Sequence, residues 1–201
     1  MAESFLRANN YYKLKQWKLA VQNFEHSWSV GLDPFTPVTL TKWAKCLFHL
    51  GRLEDALEKV REALQADPSI LEAVGLLGII NCELEEHEDA VSLLQEALKR
   101  KGDRSDVQRE KKSPSKVPSS QKDQIEDLWL WCLAFGKSLS KLGRYQEAFL
   151  QFEKAITHTQ KETEIALCYK QWGMCLHEIG RHELATECSK FWTASFHCLS
   201  L

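Results

Sequence analysis

Small residues recur along the chain where the pattern of apolar and polar positions places one helix across another. Ala20, Ala56, Ala90, Ala148 and Ala185 are spaced 36, 34, 58 and 37 residues apart. The apolar residues around them recur at intervals of three and four, which is the spacing of one face of an α-helix. A period near 34 residues is typical of stacked helix-turn-helix repeats. The pattern therefore predicts an all-α chain of about five helix pairs.

The clearest pair is predicted over residues 37–70. One apolar helical face comprises Leu40, Trp43, Ala44, Leu47 and Leu50. Gly51 and Arg52 interrupt the helix, and a second apolar face comprises Leu53, Ala56, Leu57, Val60, Ala63 and Leu64. Asp67 and Pro68 end it, because proline cannot continue a helix. The same order returns in later repeats, with Gly143-Arg144 and Gly180-Arg181 at the turns.

A small residue also stands in the first helix of each pair, at Ala8, Ala44, Gly78, Gly136 and Gly173. A large side chain there would hold the two helix axes apart, and a packed interior absorbs extra volume poorly. These positions resemble the tetratricopeptide repeat, in which Leu-Gly, Tyr, Ala, an aromatic residue, Ala and Pro follow in order. The resemblance implies a right-handed α-solenoid of helix-turn-helix units.

In that family the first helix of each unit lines a groove that binds peptides. The resemblance implies a groove formed by Asn9, Tyr12, Lys13, Lys45, Phe48, His49, Glu83, Lys137, Lys141, Lys170 and His177. A chaperone-binding subfamily holds a terminal carboxylate with a set of Lys, Asn and Arg. Only Asn9 matches that set, while Phe5, Lys42, Glu72 and Leu76 occupy the other positions. A co-chaperone clamp is therefore not favoured.

The 58-residue spacing exceeds a 34-residue repeat by 24, which points to an insertion at residues 101–124. This segment has seven Lys or Arg and four Asp or Glu, and its only apolar residues besides the prolines and glycine are two valines. Such a composition predicts disorder. The expected organisation is repeats one to three in residues 1–100, the basic insertion, and repeats four and five in residues 125–201. Ser113, which precedes Pro114, is a candidate phosphorylation site.

The last residues depart from the repeat. Ser189 stands where a large residue is expected, and Trp192 stands where a small one is expected. In residues 186–201 the only formal charges are Glu187 and Lys190, and the large apolar residues are Phe191, Trp192, Phe196, Leu199 and Leu201. We therefore expect a frayed or irregular last helix and self-association through this tail. A shortened or alternatively spliced form of a longer repeat protein would account for the same features.

Composition limits the function classes. A formal net charge of -2 argues against a nucleic-acid binder, because phosphate binding needs excess positive charge. Seven cysteines without a C-x-x-C motif indicate reduced thiols inside the cell. The longest apolar runs are far shorter than the ~20 residues that span a bilayer. We expect a cytoplasmic protein without membrane insertion.

No sequence motif predicts catalysis. His177 and His182 invite comparison with the zinc motif H-E-x-x-H, but residues five apart on one helix point about 140° away from each other. Cys46 and His49 share a helical face, yet no third residue orients them. We therefore expect no enzyme activity, metal or cofactor.

Two functions remain open. The first is an interaction scaffold that binds a peptide or helical segment of a protein partner, whose identity the sequence does not reveal. The second is the regulatory end of a larger enzyme or multi-subunit assembly.

Overall fold

The computed structural model describes residues 2–31, 36–110 and 128–197, and these ranges form ten α-helices and no strand. The helices are α1 (Ala2–Lys13), α2 (Trp17–Ser29), α3 (Pro37–His49), α4 (Leu53–Ala66), α5 (Leu71–Glu83), α6 (His87–Glu110), α7 (Leu128–Lys141), α8 (Tyr145–Thr157), α9 (Glu162–Glu178) and α10 (His182–His197). None of these ten combines the length and apolarity needed to cross a bilayer.

Helices α1 and α2, α3 and α4, α7 and α8, and α9 and α10 pack as pairs joined by short turns. In three of these turns a glycine has positive φ: Gly51 at 75°, Gly143 at 75° and Gly180 at 77°. The arginine that follows each glycine donates its backbone N–H to a carbonyl five residues earlier, as Arg52 does to Leu47 at 3.0 Å. Glycine suits this turn because a Cβ strains the left-handed conformation.

The chain divides into two compact units, residues 1–84 and 85–201. In the N-terminal unit the predicted small residues form the contacts between helices. Ala8, Ala20, Ala44, Ala56 and Ala63 are all 0% exposed. Large apolar side chains fill the space beside them, with Phe24, Trp43 and Leu47 also buried. Close approach of the axes therefore depends on side chains no larger than a methyl group at these crossings.

The C-terminal unit repeats this arrangement. A Cβ added to Gly136 of α7 would lie 2.7 Å from Phe152 Cε1, so α7 and α8 cross with no room for a side chain. Ala148 and Phe152 are each 0% exposed. Trp172 of α9 then stacks on Phe152 with ring centroids 6.4 Å apart. The three helices thus share one aromatic core.

Helix α6 is longer than the repeat pattern predicts. It continues to Glu110, ten residues into the predicted insertion. Five of these ten residues are Lys, Arg, Gln or Glu, which favour helix, so a helix already formed can extend through them. Lys101 also gains a contact, because its Nζ lies 4.9 Å from the ring centroid of Trp131 in α7.

The rest of the predicted insertion, residues 111–124, lies outside the described residues, as does Ser113. Disorder of this part and phosphorylation of Ser113 stay predictions.

The last helix is regular over its described length. Helix α10 continues to His197, and fraying of its end stays a prediction. The repeat pattern would place a large buried side chain at position 189. Here Ser189 is exposed, and Cys188 is buried instead. A Cβ at Gly173 of α9 would lie only 3.3 Å from Cys188 Cβ, which explains why a small side chain fits there.

Candidate functional site

A cluster of polar and aromatic side chains is formed by the second half of α1, the start of α2 and the inner and C-terminal parts of α3. We call it the aromatic–lysine cluster, and it comprises Asn9, Tyr12, Trp17, Lys42, Phe48 and His49. Lys42 connects two helices, because its Nζ lies 3.4 Å from Asn9 Oδ1 and 5.9 Å from the Tyr12 ring centroid. Asn9 is held in turn by donating its side-chain N–H to the Phe5 carbonyl at 3.1 Å.

Aromatic stacking forms the other half of this cluster. His49 lies nearly parallel to Trp17, with ring centroids 4.3 Å apart and an interplanar angle of 13°. Tyr12 meets Trp17 edge-on at 6.0 Å, and Phe48 meets His49 edge-on at 5.6 Å. The rings are partly exposed, so the cluster offers both an apolar surface and a cation to a ligand.

The structure brings together Asn9, Tyr12, Phe48 and His49 of the predicted groove. It adds Lys42 and Trp17, which the sequence analysis did not assign to the groove. The separation of 33 residues between Asn9 and Lys42, close to one repeat, is the signal that could have joined them. Lys13 and Glu83 are exposed and Lys45 is half-buried, all within the N-terminal unit.

The other predicted groove residues belong to the C-terminal unit. Lys141 of α7 donates to Glu178 of α9 at 2.6 Å, and this hydrogen bond is the main reason that its pKa is raised. Lys137 is half-buried in α7. Lys170 and His177 line a separate cavity on α9 and α10, so these four residues form no single cluster.

This α9–α10 cavity has a volume of about 630 Å³. Its lining is largely apolar and includes Tyr169, Gly173, Met174, Ala185 and Trp192, with Lys170, Glu178 and two histidines. Met174 is 50% exposed, which is high for an apolar side chain in a helical array. A cavity of this size can hold part of a helix or an extended segment.

The two histidines of the cavity contradict the expectation that they point apart. His177 Nδ1 and His182 Nδ1 are 3.1 Å apart, and the ring centroids are 4.8 Å apart. The expected angle applies only within one helix, whereas α9 ends at Glu178 and Gly180 reverses the chain. The turn therefore brings the imidazoles together from two helices.

Cys46 and His49 do not form the thiol site considered from sequence. Cys46 is 0% exposed, and burial raises the pKa of its thiol to about 12. Burial likewise raises the pKa of Cys168 to about 12 and that of Cys132 to about 11. Since the thiolate is the nucleophile, these cysteines are poorly suited to catalysis.

Comparisons with known proteins agree with this architecture. Family models described as tetratricopeptide repeat match residues 44–111 and 132–157. No curated protein sequence matches the chain. Among solved structures, a crystal structure of MamA is 17% identical, with 96% of each chain covered and a TM-score of 0.60.

Two further MamA structures are similar in fold. The one described as MamA MSR-1 C2 is 15% identical, covering 96% of this chain and 95% of that one, with a TM-score of 0.62. The one described as MamA 41-end from Desulfovibrio magneticus RS-1 is 11% identical, covering 97% and 94%, with a TM-score of 0.64. At these identities the likeness shows the fold alone. The predicted all-α solenoid class is confirmed.

Proposed function

Because the chain is a tetratricopeptide-repeat protein, we propose that it is a non-catalytic adaptor that binds a peptide or helical segment of a protein partner at the aromatic–lysine cluster. Repeat arrays of this kind serve as interaction scaffolds with extended binding surfaces. The observation that carries the proposal is the position of Lys42, which reaches from α3 to Asn9 and Tyr12 of α1.

The chemistry of this cluster favours an acidic ligand with an adjacent apolar side chain. A lysine ammonium has three N–H donors, and the contact with Asn9 uses one of them. A carboxylate can take a further donor through a charge-assisted hydrogen bond, which is stronger than a neutral one. The partly exposed rings of Tyr12, Trp17 and Phe48 provide an apolar surface beside it.

The remaining groove residues support the same class of ligand. Lys13 and Lys45 add positive charge in the N-terminal unit, and Glu83 adds one negative charge. Such a surface raises the association rate of an acidic segment through long-range attraction. We propose that Lys137, Lys141 and Lys170 add positive charge in the same way within the C-terminal unit, and that His177 adds a hydrogen-bonding imidazole there.

Lys42→Ala is expected to weaken peptide binding about tenfold, which corresponds to about 1.4 kcal/mol. The measurement begins with selection of peptides from a displayed random library against the wild-type protein. The dissociation constants of the selected peptides are then compared by fluorescence anisotropy for wild type and variants.

Lys18→Ala is the matched control, because Lys18 is an exposed lysine of α2. Equal affinities for the Lys42 and Lys18 variants would show that the selected peptides bind elsewhere. Selected sequences without acidic residues would contradict the proposed ligand chemistry.

A second candidate function is membership of a larger assembly through the C-terminal unit. The α9–α10 cavity favours it, because its apolar lining and the exposed Met174 suit contact with another helix. This candidate differs from the first in the surface used, so variants of Lys42 would leave such an assembly intact.

We also propose that the chain self-associates through α10, as the apolar tail suggests. Phe191 is 57% exposed and stacks on Tyr169 with ring centroids 4.9 Å apart. Phe191→Ser is expected to lower the average mass in sedimentation experiments over a concentration series. Leu150→Ser is the control, because Leu150 of α8 is 55% exposed. An unchanged mass for Phe191→Ser, with helicity retained, would contradict this role of α10.

The proposed location is the cytoplasm, where thiols stay reduced. The six cysteines of the described residues, which are Cys46, Cys82, Cys132, Cys168, Cys175 and Cys188, are buried free thiols and support this proposal.

A further inference from the structure

We propose that His177 and His182 form a binding site for a divalent transition-metal ion at the α9–α10 cavity. The two imidazoles come from the ends of different helices and meet across the turn at Gly180. Their Nδ1 atoms are 3.1 Å apart. A metal site goes beyond the proposed peptide-binding function, which rests on the aromatic–lysine cluster of the N-terminal unit and includes His177 only as an additional groove residue.

The spacing of the two nitrogens fits one shared ion. With Zn–N bonds of about 2.05 Å, two ligand nitrogens are about 2.9 Å apart at a right angle and about 3.3 Å apart at a tetrahedral angle. The observed 3.1 Å lies between these values. Imidazole nitrogen is a favoured ligand of Zn²⁺, Ni²⁺ and Cu²⁺. To bind the ion, each ring would turn so that its Nδ1 lone pair points at the metal, and the proton held between the two nitrogens would be released to solvent.

The site would be open rather than fully enclosed. No group of three or more His, Cys, Asp or Glu side chains within the described residues is placed to hold a metal. Glu178 is nearby in sequence, but it accepts a hydrogen bond from Lys141 at 2.6 Å. Two protein ligands leave the remaining positions to water, as in exchangeable sites rather than structural ones.

Metal binding here would affect the last helix pair. Both histidines line the α9–α10 cavity, so a bound ion would connect α9 to α10 at its edge. The water-filled positions could then accept a carboxylate or imidazole from a segment that enters the cavity. The ion would thus make binding at this surface dependent on the metal.

The test is isothermal titration calorimetry, in which Zn²⁺ is added to the full chain in the presence of a phosphine reductant. His177→Gln and His182→Gln are each expected to weaken Zn²⁺ binding at least tenfold. Glutamine keeps a hydrogen-bonding group of similar length, so these variants separate metal binding from the hydrogen bond. His26→Gln is the control, because His26 is an exposed histidine of α2.

A second measurement reports on the ligand atoms. Zn²⁺ is expected to shift the side-chain ¹⁵Nδ1 resonances of His177 and His182 together, and to raise the thermal midpoint of the wild-type protein but not of either variant. Absence of Zn²⁺ binding at millimolar concentration would overturn the proposal. A loss in the two variants no greater than in His26→Gln would overturn it equally, because the metal would then be bound elsewhere.

Discussion

Trp43→Ala is expected to lower the free energy of unfolding by about 3–5 kcal/mol, the range for removing a large aromatic side chain from a core. Trp43 is 4% exposed and belongs to the buried core of the N-terminal unit. Its ring centroid is 6.1 Å from that of Phe24 and 5.8 Å from that of Trp28. Lys59 Nζ also lies 5.1 Å from its centroid. The truncation would therefore leave a cavity among three helices that cannot close without moving them. Urea unfolding followed by circular dichroism measures the change.

Trp28→Ala is the matched control for this prediction. Trp28 contacts the same lysine, with Lys59 Nζ 4.8 Å from its ring centroid, but Trp28 is 45% exposed. Its removal forfeits the cation–π contact, worth about 0.5–1 kcal/mol at exposed sites, without opening a buried cavity. If both variants lose the same stability, the buried position of Trp43 is not what stabilises this unit.

Gly136→Ala is expected to destabilise the C-terminal unit by about 1–3 kcal/mol through overpacking, although alanine favours helix over glycine by about 1 kcal/mol. The new Cβ would lie 2.7 and 2.8 Å from two ring carbons of Phe152, and 3.2 Å from the Ala148 carbonyl oxygen. Phe152 is 0% exposed, so its ring has no solvent to move into. Packing predicts that Gly136→Ala lowers the free energy of unfolding, whereas helix propensity predicts that it raises it. The measured midpoint of denaturation decides between the two.

Gly102→Ala provides the comparison in α6. A Cβ at Gly102 would meet no heavy atom within 4 Å, so propensity should act alone. We expect Gly102→Ala to raise the free energy of unfolding by about 0.5–1 kcal/mol. A gain in the Gly136 variant as well would show that α7 and α8 are not in close contact at this crossing.

The candidate site was predicted from sequence only where the repeat pattern applied. Asn9, Tyr12, Phe48 and His49 follow from their places in the first helix of a tetratricopeptide repeat. Lys42 was noted only as a mismatch to a different binding set. Its role depends on a side chain that reaches a neighbouring helix, and helical periodicity does not specify side-chain reach.

The histidine pair illustrates the same limit. Two side chains five positions apart on one helix point in different directions. His177 and His182 are five positions apart across a turn, and the turn brings their side chains together. The difference depends on where α9 ends, and helix ends are the least reliable part of a sequence prediction. The glycine at 180 was correctly placed in the turn, yet the contact between the rings depends on how α9 and α10 pack.

The period of small residues was sufficient to predict the helix pairs. Ala20, Ala56, Ala90 and Ala148 are all 0% exposed, because a helix crossing tolerates only a small side chain. Composition was not sufficient for residues 101–110, since packing of Lys101 on Trp131 accompanies continuation of α6 into a polar segment. Local pattern thus determines which residues form helices and which faces are apolar. The long side chains that meet across helices, such as Lys42, Lys101 and His182, take their partners from the packed structure, because their neighbours there are distant in sequence or separated by a turn.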